Sequence, residues 1–198
     1  MNGPTKALIS AKLLGKQLYI LAHKLSATSA IASSGSQLPE TLKSQVISSA
    51  LLEAIKENPK IKDALLLEDI VFTLWIADMC LENKNVSKSM FSELIDDLHS
   101  REKPGTDVQR LSLKLRSIYI QRYTLYAAAL EKDQKNANTG PMSELTEARI
   151  LSINTSLPDA AKIGLTDVLL RFLFQTEWLA KLKCMQSTIA MFKIADGS

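Results

Sequence analysis

The most apolar stretch of the chain covers residues 64–81 and reads ALLLEDIVFTLWIADMCL. Its polar positions are only four of eighteen: Glu68, Asp69, Thr73 and Asp78. A helix that is apolar around most of its circumference has to be surrounded by other elements. The pattern therefore predicts a buried central helix at about residues 61–82.

Apolar residues recur at helical spacing along the rest of the chain. The first helix begins near Pro4 and carries a seam of small residues and leucines, in which Gly15 indicates a close approach of two helices. Thr106 and Gln109 have the spacing of a capping box. A long, largely apolar last helix is expected to pack on the central one. The expected bounds of the other helices are about 39–57, 87–100, 106–132, 143–154 and 165–194.

No segment alternates apolar and polar residues in the manner of a half-buried strand. The predicted fold is therefore all-α, a single bundle of six to seven helices without a sheet. The length of 198 residues, with 46% hydrophobic and 23% charged residues, suits one domain covering residues 1–198. The polar, turn-rich run at about residues 133–141 predicts a flexible linker.

The net charge of +3 is too small to indicate nucleic acid by itself, but the charge is unevenly spread. Residues 1–39 hold four lysines and no acid. A second basic block without acids covers residues 110–122. Three tyrosines interleave with the basic residues of this block or follow it, an arrangement that could stack on bases: Tyr119, Tyr123 and Tyr126.

The expected localisation is cytoplasmic. No apolar run reaches the eighteen residues of a membrane span. Lys12 and Lys16 interrupt the region where a secretory signal would have its apolar core. Cys80 and Cys184 both lie in apolar helical segments and are interpreted as reduced core residues.

Motifs for phosphate binding, dinucleotide binding, a serine nucleophile or a zinc protease do not occur. Two histidines and two distant cysteines are too few for a metal site. We therefore expect no catalytic residue, metal or cofactor. An enzyme whose site is assembled from scattered residues stays open as an alternative.

His23 begins the segment HKLSATS. This segment distantly resembles the phosphoacceptor stretch of histidine phosphotransfer domains, which reads H-x-L-K-G-x-S. His23, Leu25 and Ser29 match, whereas Ser26 and Ala27 replace the lysine and glycine of that pattern. The resemblance implies a phosphoacceptor role for His23; the alternative is a solvated surface histidine.

We expect different surroundings for the acids at the two ends of the central apolar stretch. Glu68 and Asp69 are neighbours that point about 100° apart, and we expect a solvated flank there. Asp78 belongs to an apolar stripe and needs a partner or an opening, because an unpaired buried carboxylate is unfavourable. The expected partner is Arg122; a wet edge and a functional acid in a partner-binding groove are the alternatives.

These observations favour a non-catalytic helical adaptor, chaperone or assembly subunit. Its apolar groove would bind another protein, for instance through an amphipathic helix. The basic face of the first helix (Lys12, Lys16 and Lys24), together with Asp78, is the expected partner-binding site. The alternatives are phosphotransfer through His23 and weak nucleic-acid binding through residues 110–122, although nucleic acid is not the expected partner.

Overall fold

The computed structural model describes residues 6–27, 49–58, 60–101, 107–135, 143–159, 162 and 168–195. Within these ranges the chain forms seven helices and two short strands, which confirms the prediction of a helical bundle. In chain order the elements are β1 (Ala7–Ile9), α1 (Ala11–Ala27), α2 (Ser49–Glu57), α3 (Lys60–Met79), α4 (Lys84–Arg101), α5 (Val108–Lys135), α6 (Ser143–Ser156), α7 (Val168–Ala190) and β2 (Phe192–Ile194).

The central helix is α3, as predicted. Every residue from Glu68 to Ala77 is buried, and α1, α5, α6 and α7 all contact this helix. Its aromatic residues form the middle of the core. The ring centroids of Phe72 and Tyr126 lie 5.0 Å apart, and those of Trp75 and Trp178 lie 5.5 Å apart. Among the described helices, none combines the length and apolar character that a membrane crossing requires.

Helix α1 packs closely on α4, and Gly15 lies at their contact. A Cβ atom added to Gly15 would lie 2.5 Å from the Ser89 Cβ and 2.8 Å from the Val86 carbonyl oxygen. The Ser89 hydroxyl donates to the Lys12 carbonyl across the same contact, at 3.0 Å. The close helix approach predicted from Gly15 is therefore present.

The prediction that the chain has no sheet is wrong in one detail. Residues 7–9 and 192–194, both assigned to helices from the sequence, pair as a two-stranded parallel sheet in which Leu8 lies opposite Lys193. Ser10 ends the strand and caps α1, since its hydroxyl accepts from the Leu13 N–H at 3.2 Å. Helix α1 consequently begins at Ala11 and not near Pro4, which lies outside the described residues.

The cap of α5 and the beginning of the predicted linker also differ from the sequence expectation. Asp107 caps α5: its carboxylate accepts from the N–H groups of Gln109 and Arg110, at 2.9 and 3.3 Å. The expected capping residue, Thr106, lies outside the described residues. Asp133, assigned to the linker, is still helical in α5, and its carboxylate accepts from the Glu144 and Leu145 N–H groups at the start of α6, both at 2.9 Å.

Candidate functional site

The acid pair of the central helix is buried, so the expectation of a solvated flank is wrong. Glu68 and Asp69 expose 3% and 2% of their surface. Neighbours on a helix point about 100° apart, and the two carboxylates therefore meet different helices. Glu68 binds a base on α5, whereas Asp69 binds bases on α6 and α7.

Glu68 forms a two-pronged ion pair with Arg122. The Arg122 Nε lies 3.0 Å from one carboxylate oxygen and Nη2 lies 2.9 Å from the other. Nη2 also donates to the Ser152 carbonyl at 3.2 Å, and the Ser156 hydroxyl donates to Glu68. Burial alone would lower the pKa of Arg122, but the hydrogen bonds and charge of Glu68 outweigh it and raise that pKa.

Asp69 meets two bases at once. Lys181 Nζ lies 2.7 Å from its carboxylate, and the Arg149 Nη2 donates to its other oxygen. Glu177 completes the group, at 2.6 Å from Lys181 Nζ and 3.3 Å from Arg149 Nη2. Burial would raise the pKa of Asp69, but the charges of Lys181 and Arg149 hold it below its usual value.

Arg149 joins this group to the aromatic core. Its guanidinium carbon lies 4.1 Å from the centroid of the Phe72 ring and 4.9 Å from that of Phe174, distances at which a cation is attracted to the ring face. Its Nε has no hydrogen-bond partner within the described ranges. The ring contacts therefore offset part of the cost of burying this cation.

We name these six residues the buried charge cluster: Glu68, Asp69, Arg122, Arg149, Glu177 and Lys181. Three acids face three bases, and the cluster links α3, α5, α6 and α7. A substrate cannot reach Glu68 or Asp69, which expose 3% and 2% of their surface, without a rearrangement of the bundle, and the Glu177 side chain, at 18%, is the most exposed of the six. The cluster therefore fixes how the four helices pack on one another. The sequence signal that was missed is the presence of Arg149 and Lys181 among apolar residues.

Asp78 does not bind Arg122, so the predicted ion pair is wrong. Its two carboxylate oxygens accept from the Ser87 and Tyr123 hydroxyls. Burial, and then the hydrogen bond and charge of Asp78, raise the pKa of Tyr123. These contacts hold the end of α3 against α4 and α5. The role of Asp78 in partner binding stays a prediction.

The lysines predicted on α1 are exposed, and two large apolar side chains accompany them. Lys12, Lys16 and Lys24 face solvent, and Leu13 and Ile20 expose 50% and 43% of their surface. On a regular helix Leu13, Ile20 and Lys24 fall within about 40° of one another, with Lys16 about 60° to one side. The opposite side of α1 is buried through Ala11, Leu14, Leu18 and Ala22. We call the residues Leu13, Lys16, Ile20 and Lys24 the α1 outer face.

His23 is half-buried and already has a partner. Its Nε2 lies 3.1 Å from the Arg101 Nη2, which also binds Asp97 at 2.7 Å. The Tyr19 hydroxyl donates to the same Asp97 carboxylate at 2.7 Å. Arg101 can only donate hydrogen bonds, so a neutral His23 ring accepts this one at Nε2. The residue is therefore part of a contact between α1 and α4.

The basic block of α5 is divided between surface and interior. Arg110, Lys114 and Arg116 are exposed, but Arg122 is in the buried charge cluster. The tyrosines point into the bundle: the Tyr119 ring packs 5.2 Å from the Phe91 ring, and Tyr126 is fully buried and exchanges a hydrogen bond of 2.5 Å with Ser152. These rings are not placed to stack on bases.

An apolar groove lies between α5 and α6. Its volume is about 320 Å³, and Ala128, Ala129 and Ala148 line it together with Leu125 and Leu151. Lys132 and Glu144 also line the groove, and they pair with each other at 3.8 Å. The groove is therefore small, and its charged lining consists of one base and two acids, Glu144 and Glu147.

Comparison of the chain with protein-family models, with curated proteins and with solved structures finds no match.

Proposed function

We propose that the chain is a non-catalytic interaction protein, an adaptor, chaperone or assembly subunit, whose α1 outer face binds an acidic amphipathic helix of a protein partner. The observation that carries the proposal is the exposure of Leu13 (50%) and Ile20 (43%) in one row with Lys24 and beside Lys16. Two apolar side chains seven residues apart match the spacing at which one helix receives the apolar face of another.

The charges of the face select the partner. Lys16 and Lys24 are both exposed, and α1 contains no acidic residue. A partner helix with acidic residues beside its apolar stripe would be attracted, and a basic helix would be repelled. Burying the exposed parts of Leu13 and Ile20 would contribute about 1 kcal/mol each.

The test is affinity purification from the native host with a matched pair of double variants. Leu13→Ser with Ile20→Ser removes the apolar row of α1. Leu113→Ser with Ile120→Ser makes the same change on α5, where these residues have the same spacing and expose 62% and 56% of their surface. We expect a protein at fixed stoichiometry with the wild type and the α5 variant, and its loss with the α1 variant. Equal loss with both variants, or retention with both, would overturn the proposal.

The contribution of the lysine charges to partner binding is measured separately, through the association rate. Reversing Lys16 and Lys24 to Glu should slow association with the purified partner by about tenfold at low salt, with a smaller effect on dissociation. The control reverses Lys114 and Arg116, which are exposed on α5. An unchanged association rate after the reversal of Lys16 and Lys24 would show that the partner binds at a surface other than the α1 outer face.

A further inference from the structure

The two-stranded sheet leaves one edge of β1 open. In the parallel ladder Ala7 donates to the Met191 carbonyl at 3.0 Å, and Ala195 donates to the Ile9 carbonyl at 2.9 Å. Backbone groups alternate in direction along a strand, so those of Leu8 point away from β2. The N–H and C=O of Leu8 have no hydrogen-bond partner among the described residues.

The side chain of Leu8 is equally uncovered. It exposes 70% of its surface. The outer edge of β2 differs, since Phe192 and Ile194 are half-buried and pack on the core. An exposed strand edge with an apolar side chain is a template for pairing with another strand. A sheet of two strands is also marginal, and a third strand would stabilise it.

The surroundings of the edge define the strand that would fit. A cavity of about 710 Å³ adjoins the sheet and is lined by Leu14, Ile189, Phe192 and Ile194, among others. Lys193 is exposed and lies opposite Leu8 in the ladder. Since successive side chains of a strand point to opposite faces, an added strand would place apolar residues on the buried face of Ile9 and the alternate residues on the face of Leu8 and Lys193.

The charges favour an acidic strand over a second copy of this chain. Within the part of the chain that the structure describes, Lys6, Lys84 and Lys193 are exposed at the sheet or beside the cavity, where Glu82 supplies the one carboxylate. Pairing of β1 with itself would bring like charges together, and edge lysines are a known device against such pairing. We propose that the free edge of β1 binds an extended peptide segment of alternating acidic and apolar residues by strand addition. This proposal is independent of the α1 outer face.

The probe is a capped heptapeptide of alternating glutamate and valine, titrated into the isotope-labelled protein. We expect amide shifts at Lys6–Ser10 and cross-strand contacts between Leu8 and the peptide. The same peptide with lysine in place of glutamate should bind about tenfold more weakly. A peptide with N-methylated amides should not bind, because it cannot complete the ladder.

Matched variants separate edge pairing from general charge attraction. Leu8→Pro removes the free N–H, and Leu8→Asp keeps it but places a carboxylate against the acidic strand; both should weaken binding about tenfold. Lys6→Glu with Lys193→Glu should do the same, whereas Lys114→Glu with Arg116→Glu, two exposed bases of α5, should leave the affinity within about twofold. Thermal melts identify any variant that fails to fold, and the second Leu8 variant then carries the test.

Two results would overturn the inference. One is equal binding of the N-methylated and unmodified peptides, which would exclude main-chain pairing. The other is an equal loss of affinity in the two double charge-reversal variants, which would show attraction to the overall charge. Loss of the partner of the α1 outer face leaves this test unaffected, because the probe and the altered residues differ.

Discussion

Arg122 donates to both carboxylate oxygens of Glu68, and the two residues are almost fully enclosed by the bundle, with 11% and 4% of their side chains exposed. Removing one member of such a pair strands the other charge in the core. Glu68→Ala should therefore lower the free energy of unfolding by about 3–5 kcal/mol, measured by denaturant unfolding. Replacing both residues with leucine should recover part of this loss, and purely additive losses would contradict the pairing.

Asp78 and Arg122 provide the matched control for this comparison of single and double variants. Asp78 lies ten residues beyond Glu68 on α3, about 15 Å along the helix axis, and its partners are Ser87 and Tyr123. The decreases in the free energy of unfolding caused by Asp78→Ala and by Arg122→Leu should add within about 0.5 kcal/mol in the double variant. A large coupling energy between them would show that the two side chains interact after all.

Asp69 should make the protein sensitive to acid. Its pKa in the folded state lies below its usual value because of Lys181 and Arg149. A lowered folded pKa means that the stabilisation is complete above the unfolded value of about 3.9 and is lost as the pH falls through the folded value. Unfolding free energies measured between pH 6 and about pH 2 should fall less steeply for Asp69→Asn.

Asp159 is the control for this experiment. It also pairs with a base, Lys162, but it is exposed. Asp159→Asn should leave the pH dependence close to that of the wild type, since solvent screens an exposed pair. If both variants changed the slope of unfolding free energy against pH equally, Asp69 would not be the source of the acid sensitivity.

Gly15 should not tolerate a side chain. Its added Cβ would meet the Ser89 Cβ at 2.5 Å, and the overpacking should cost about 1–3 kcal/mol. Alanine gains about 1 kcal/mol of helix propensity over glycine, so the expected net effect of Gly15→Ala is a lower denaturation midpoint. Adding Ser89→Gly to this variant should recover part of the decrease in the denaturation midpoint. A midpoint that rises in Gly15→Ala would show that α1 and α4 separate easily.

The capping of α5 predicts a contrast between adjacent residues. Asp107→Ala removes the acceptor for the Gln109 and Arg110 N–H groups and should cost about 1 kcal/mol in denaturant unfolding. Thr106→Ala, the substitution favoured by the capping-box pattern, should have a smaller effect. The reverse order would restore Thr106 as the cap.

The sequence by itself determined where the apolar faces are buried, but not that Glu68 and Asp69 are buried with them. The apolar run around Phe72 predicted the central helix, because a helix exposed to water cannot be apolar on all sides. The exposure of Lys12, Lys16 and Lys24 and the close approach at Gly15 followed from the same periodicity. These features depend on residues within a few turns of one another.

Only the tertiary structure decided which distant groups meet. Arg122 interrupts an apolar seam and needs an acid, but the axial offset of α5 along α3 selects Glu68 over Asp78. The strand at residues 7–9 exists because residues 192–194 lie beside it, and three residues carry too short a pattern to predict a strand. Periodicity indicates which apolar positions are buried, whereas pairing depends on how whole helices are placed against each other.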